Sequence, residues 1–129
     1  MAEPGGRRIL VIDDAALVRM YYRDALERAG FTVDEALNGL EGLEKLLISP
    51  ADLLIVDVNM PHMDGLTFLK VLRRQDIETA SIPAIVISTE AKTQDMEAAR
   101  EAGANFYLVK PVKPEALVQW ANLLCGGVS

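Results

Sequence analysis

The sequence predicts an α/β fold in which five β-α units build a five-stranded parallel sheet with helices on both faces. Four short runs are apolar almost without interruption, segments of helical period lie between them, and the two kinds alternate along the chain. Continuous rather than alternating hydrophobicity marks strands covered on both sides, the usual condition of a parallel sheet. Right-handed crossovers then place the connecting helices on both faces.

The first strand is the run Ile9, Leu10, Val11 and Ile12, too short for a buried helix and rich in β-branched side chains. Residues 15–29 then set Val18, Tyr21, Tyr22, Ala25, Leu26 and Ala29 on one helical face, and Gly30 supplies a left-handed stop. Residues 32–36 alternate in polarity and predict an edge strand. Asn38 can cap the second helix, which carries Leu40, Leu43, Leu46 and Leu47. The third strand is Leu53, Leu54, Ile55 and Val56; Asp64 can cap the helix after it, with Leu66, Leu69 and Leu72 on one side. Ile85, Val86 and Ile87 form the fourth strand, and the helix over residues 93–102 is closed by Gly103. Tyr107, Leu108 and Val109 make the fifth strand. Pro114 opens the last helix, which turns Leu117, Ala121 and Leu124 inward.

The 129 residues suit one domain, taken to span 1–129 with a core over about 8–125. A net charge of −6 argues against nucleic acid, which asks for a basic face. The lone Cys125 has no partner for an internal disulfide and points to a reducing compartment. Residues 1–8 lack the apolar centre of a signal peptide, and no apolar run is long enough to span a membrane. The expectation is a cytoplasmic protein that engages neither membrane nor nucleic acid. Only Gly126, Gly127, Val128 and Ser129 follow the last helix, so no output domain is expected.

In a parallel α/β sheet the functional site lies beyond the carboxyl ends of the strands. Asp13 and Asp14 end the first strand, Asp57 ends the third with Asn59 two residues on, Ser88 and Thr89 end the fourth, and Lys110 and Pro111 end the fifth. Singly, each has an ordinary explanation: a helix cap, a turn, a surface charge. Together they put three carboxylates, a hydroxyl and an ammonium on one rim. Two carboxylates about 5 Å apart repel by roughly 3 kcal/mol at an effective dielectric near 20. Three of them therefore call for a cation beyond Lys110, and an all-oxygen site suits Mg²⁺. Such a site positions a phosphoryl group and lets a carboxylate act as nucleophile, forming an aspartyl phosphate.

Asp13-Asp14 after a strand, the stretch from Asp57 through Asn59 and Asp64 to Gly65, then Ser88, then Lys110-Pro111 resemble the receiver domains of two-component response regulators. The resemblance covers about residues 8–124. It implies the flavodoxin-like strand order 2-1-3-4-5, which the pattern of apolar runs does not give. It further implies that Asp57 accepts phosphate from a sensor histidine kinase or a histidine phosphotransfer protein. Asp13, Asp57 and the backbone carbonyl of Asn59 would ligate Mg²⁺, with Asp14 supporting through water, and Lys110 would contact the phosphoryl oxygens. A cis Lys110–Pro111 bond is implied as well. Ser88 would hydrogen-bond the phosphoryl group and draw its loop inward. Tyr107 would be the switch aromatic, turning from exposed to buried; its plainer reading is a half-buried strand residue beside Phe106. The modified state would favour the inward arrangement, because Ser88 and Lys110 satisfy the added charge only when close. The fourth and fifth predicted helices and the fifth strand would then bind a downstream protein target, with Lys92, Tyr107 and Lys113 as contacts.

Asn59 and Glu90 match the stand-alone chemotaxis type in tuning positions beside the phosphorylation site. Thr89 departs from the small residue common after the switch hydroxyl, and Val58 from an aromatic found there in some members. Trp120 is expected far from the metal, His62 exposed, Cys125 packed at a helix end, and the methionines gap-filling. On this reading the chain is a signalling phosphoacceptor that catalyses only its own phosphorylation and dephosphorylation. Within that class, a chemotaxis regulator competes with a phosphorelay shuttle or phosphate sink. An Asp-dependent phosphatase of the haloacid-dehalogenase kind would want a second Asp where Asn59 stands. A flavin-binding module would want a hydroxyl- and Gly-rich loop where Asp13-Asp14 lies.

Overall fold

The apolar runs become the strands expected of them in a computed structural model that describes residues 7–125. The elements follow as β1 (Arg8–Ile12), α1 (Ala16–Arg28), β2 (Thr32–Ala36), α2 (Gly39–Ile48), β3 (Leu53–Asp57), α3 (Gly65–Leu72), α4 (Ile77–Ala80), β4 (Ala84–Ser88), α5 (Thr93–Ala102), β5 (Phe106–Val109) and α6 (Pro114–Leu124). The sheet order is β2-β1-β3-β4-β5, the order the family resemblance implies, and all pairings are parallel. The expectations for residues 1–6 and for the tail from Gly126 to Ser129 lie outside the described residues.

Side-chain alternation along the three central strands builds two cores. Leu10, Ile12, Leu54, Val56, Ala84 and Val86 pack on one face against Leu46 of α2, Phe68, Leu69 and Leu72 of α3, and Ala99 and Ala102 of α5. Ile9, Val11, Leu53, Ile55, Ile85 and Ile87 pack on the other against Tyr22 and Leu26 of α1 and Leu117 and Ala121 of α6. Every residue of β3 and β4 is buried, which is why those runs are apolar without alternation. Truncating one of these central side chains to alanine costs about 2 to 5 kcal/mol.

Asn38 and Asp64 cap α2 and α3 as expected, accepting from the backbone N–H of Glu41 and Thr67. The five expected helices become six. Between α3 and β4 the chain makes the single turn α4, capped by Asp76 through the N–H of Thr79. Four residues carry too little periodicity to stand out in sequence. The face expected for α1 is also narrower than drawn: Tyr22 and Leu26 are buried, whereas Tyr21 is 48% exposed. Leu40 and Leu47 of α2 likewise lie exposed, and Leu46, with half-buried Leu43, carries the contact with the core. None of the described helices is long and apolar enough to cross a membrane.

Arg73, just past α3, fastens two connections at once. Its guanidinium donates to the carbonyls of Gly103, Ala80 and Ile82 and to Asn105 Oδ1 at 2.6 to 3.1 Å. Gly103 closes α5 at φ 116°, and a Cβ there would stand 2.6 Å from Arg73 Cγ. Glycine meets both demands, since it tolerates positive φ and leaves room for the arginine stem.

Candidate functional site

The strand order brings the ends of β1, β3, β4 and β5 together at one edge of the sheet. Asp13 directly follows β1, and its register partners place it beside Asp57, the last residue of β3. One oxygen each of Asp13, Asp14 and Asp57 lies within 4.8 Å of the others. Lys110 Nζ reaches in from the end of β5, 3.2 Å from Asp57 Oδ1 and 3.8 Å from Asp13 Oδ2. Asp13 and Asp57 are 2% and 8% exposed, while Asp14 is open to solvent.

Local structure explains each placement. The Asp13 backbone N–H continues the β1–β2 ladder to the carbonyl of Ala36, and its Oδ1 accepts from the N–H of Ala15 at 2.9 Å. That leaves Oδ2 toward Lys110. The loop after Asp57 folds tightly back, with the Gly65 N–H on the carbonyl of Val58 at 2.9 Å. A Cβ on Gly65 would meet the Asp57 carbonyl oxygen at 2.2 Å, so any larger residue would push this loop off the end of β3. The Lys110 N–H donates to the Ser88 carbonyl at 2.8 Å, which fixes β5 against β4 where the site begins. The Lys110–Pro111 bond is cis.

Burial is the main force on the two inner carboxyls, and it raises both above the usual carboxylate range. On Asp57 repulsion from Asp13 adds to this and Lys110 opposes it. On Asp13 the Ala15 N–H and Lys110 both pull the other way. Tyr22, beneath the site, has its phenol pushed far up by burial and then by the facing charges of Asp13 and Asp57. Three carboxylates against one ammonium leave negative charge uncompensated in a partly desolvated place. The donors are all hard oxygens, a set that fits a small divalent cation such as Mg²⁺. Asp13, Asp14 and Asp57 are the residues that could hold it.

Ser88 ends β4 next to the register partner of Asp57. Ser88 is 2% exposed, and its hydroxyl accepts from the N–H of Glu90 at 3.0 Å. Asn59, exposed, shares a small cleft of about 130 Å³ with Ser88, Glu90 and Tyr107. Tyr107 is half-buried, and its hydroxyl donates to the Glu90 carbonyl at 2.8 Å. Thr89 is exposed and lines a groove of about 520 Å³ with Tyr22, Lys110 and Pro111. His62 is exposed at φ 71°, and Cys125 is packed at the end of α6, its thiol pushed up to about 11 by burial. Trp120 packs on Phe106, with ring centroids 3.9 Å apart.

Arg19 was not among the expected site residues. It is 9% exposed and donates at 2.6 Å to the Asp13 carbonyl and at 2.8 Å to Glu35 Oε1. A signal existed: Arg19, Tyr22 and Leu26 share the buried face of α1. A charged residue inside an apolar stripe implies a buried partner.

Known proteins share this fold. The family model described as "Response regulator receiver domain" matches residues 9–122. The chain is 36% identical to the chemotaxis protein CheY of Bacillus subtilis over 116 residues, 89% of this chain and 94% of the relative. It is 37% identical to the chemotaxis protein CheY1 of Helicobacter pylori over 121 residues, 92% and 97% of the two chains. The solved structure of the chemotaxis protein CheY4 of Vibrio cholerae superposes with a TM-score of 0.86 at 32% identity, covering 92% of this chain and 98% of that one.

Proposed function

The chain belongs to the response regulator receiver domain family, and on that premise we propose that it is a single receiver domain whose phosphoacceptor is Asp57. The observation that carries this reading is the Lys110 ammonium 3.2 Å from Asp57 Oδ1, within a triad of carboxylates whose oxygens lie inside 4.8 Å of one another.

Phosphoryl transfer needs little covalent help from the protein; it needs the nucleophile positioned and the charge on the moving group neutralised. Asp57 supplies a carboxylate oxygen that forms the new P–O bond as the P–N bond to a phosphohistidine breaks, the imidazole leaving with the electron pair. Lys110 neutralises charge on the transferred oxygens from the β5 side. Asp13, Asp14 and Asp57, with the Asn59 carbonyl, would hold Mg²⁺, which would supply positive charge against the phosphoryl and carboxylate oxygens. Ser88 exchanges its bond from the Glu90 N–H for one to the phosphoryl group, and the loop after β4 follows it inward. Tyr107 moves with that loop because its hydroxyl is bound to the Glu90 carbonyl. The surface of α5, β5 and α6, with Lys92, Tyr107 and Lys113, is then what a protein target reads. Thr89 and Glu90 set how long the signal lasts.

The phosphate comes from a histidine kinase or a histidine phosphotransfer protein in the cytoplasm. The relatives' description as chemotaxis proteins supports a chemotactic target over a phosphorelay shuttle. Incubating the protein with Mg²⁺ and a small acyl phosphate, then weighing it intact, tests the acceptor. One phosphoryl group is gained by the wild type and none by Asp57→Asn; a gain that persists in the variant overturns the assignment. Affinity for a flagellar motor-switch peptide that rises on phosphorylation supports the chemotactic role. Return of the phosphate to a phosphotransfer histidine instead supports the shuttle.

A further inference from the structure

We infer that Arg19 is a positioning residue for the metal site: it holds the Asp13 peptide in the orientation that presents the Asp13 carboxylate to the cation, and Glu35 holds Arg19 in turn. The inference rests on the reading above that Asp13 ligates Mg²⁺.

Asp13 is fastened at three points. Its N–H is bound to the Ala36 carbonyl at 3.1 Å, its Oδ1 to the Ala15 N–H at 2.9 Å, and its carbonyl to Arg19 at 2.6 Å. The first is part of the sheet ladder, and the second closes the turn into α1. The third is the only one of these to come from a side chain outside that turn. Arg19 is built into the fold on its own account: its Nε donates to Glu35 on β2 at 2.8 Å, and Glu35 also accepts from Arg23 at 2.6 Å. A planar guanidinium can serve a carbonyl and a carboxylate at once in fixed directions, which an ammonium cannot. The chain Arg23–Glu35–Arg19–Asp13 therefore ties α1 and β2 to the end of β1.

The charges argue for positioning rather than attraction. Arg19 is a cation near the acidic cluster, so charge alone would make it a competitor of Mg²⁺, and its removal would tighten binding. Its charge is also largely met by Glu35. If Arg19 acts by orientation, its removal has the opposite sign. The Asp13 carbonyl loses its donor in a buried place, the peptide turns to find another, and the carboxylate leaves its position. Partners that orient metal ligands typically change metal affinity by roughly 10- to 100-fold.

Calorimetric Mg²⁺ titration of the whole chain tests this. Arg19→Met is expected to weaken Mg²⁺ binding roughly tenfold or more, with partial recovery in Arg19→Lys. Glu35→Gln should weaken it less. Arg23→Met, which removes the outer and exposed partner of Glu35, should leave it unchanged. Wild-type or tighter binding by Arg19→Met, with only thermal stability lost, overturns the inference and leaves Arg19 a structural residue. Should Arg19→Met fail to fold, unchanged binding by Glu35→Gln overturns it instead. A wild-type protein that binds no Mg²⁺, or binds it as well as Asp13→Asn does, sinks the functional reading beneath.

Discussion

The hydroxyl of Tyr107 donates to the carbonyl of Glu90 across 2.8 Å, so the last strand of the sheet holds the loop that follows Ser88. The same loop is held a second time by the Ser88 hydroxyl, which accepts from the N–H of Glu90. On the proposed reading, movement of Ser88 toward a phosphoryl group would disturb both bonds. Glu90 is thus held through both its N–H and its carbonyl, by one residue at the end of β4 and one on β5.

Tyr107→Phe removes the outer grip without changing the ring. The expected loss in stability is about 1 kcal/mol, the net value of one partly exposed hydrogen bond. Amide exchange should accelerate at residues 89–91 and remain unchanged in β3. Urea denaturation and residue-resolved hydrogen exchange check both; unchanged exchange in the loop would show that Tyr107 does not restrain it.

Thr89 lines the same groove as Lys110, and on the proposed reading its side chain limits the approach of water to a phosphoryl group on Asp57. Thr89→Ala should shorten the lifetime of the phosphorylated protein several-fold. Intact mass followed over time after removal of the phosphodonor measures this, and a slower decay would contradict it.

Arg73→Ala should be among the most damaging single substitutions, by about 2 to 4 kcal/mol. It strands the carbonyls of Gly103, Ala80 and Ile82 and frees both connections they belong to. Arg73→Lys should recover only part of this, because a single ammonium cannot reach all of those carbonyls. Urea midpoints of the two variants decide it.

The central strands, five of the six described helices and the charged rim were legible in sequence because they depend on local composition. Strands covered on both faces must be apolar throughout, and a functional site beyond the strand ends can be located before any contact is known. What escaped was non-local or too small. The α4 turn spans only four residues, so it shows a cap at Asp76 but no period. Tyr21 fits the helical stripe of α1 by spacing, yet the buried face is the one shared by Arg19, Tyr22 and Leu26, and the partners of Arg19, Asp13 and Glu35, lie on other elements. Arg73 reads as an ordinary basic helix end, and only the folded chain shows which carbonyls it serves. The strand order itself came from family resemblance, since the apolar runs say which segments are strands and not which are neighbours.

Asp13→Asn should stabilise the metal-free protein. The substitution keeps an oxygen for the Ala15 N–H and removes one of the crowded charges. Full repulsion between two such carboxylates is about 3 kcal/mol, and Lys110 loses a partner, so a net gain of about 1 to 2 kcal/mol is expected. Mg²⁺ should stabilise the wild type by ligand linkage and the variant little or not at all. Thermal denaturation with and without Mg²⁺ reads all of these; a destabilised apo variant would mean the cluster is not under electrostatic strain.

The pH dependence of the metal-free protein should carry two opposed limbs. The carboxyls of Asp13 and Asp57 are raised, chiefly by burial, so the folded state holds their protons more tightly than the unfolded chain does. As pH falls through their folded values toward the ordinary range near 4, they add stability. Glu35 is lowered, first by its hydrogen bond from Arg19. In Asp34, hydrogen bonds from the Glu35 N–H, Lys45 and Arg8 outweigh the upward effect of burial. Their contributions are complete above the ordinary carboxylate values and disappear as pH falls through the folded ones. Stability without Mg²⁺ should therefore rise on mild acidification and collapse on stronger acidification. Added Mg²⁺ should flatten the first limb by favouring the ionised triad. Asp13→Asn should reduce that limb, and Glu35→Gln should soften the second while leaving the first in place. Melting temperatures collected across pH for the three proteins test the assignment. A first limb that survives Asp13→Asn undiminished would place its origin outside the cluster.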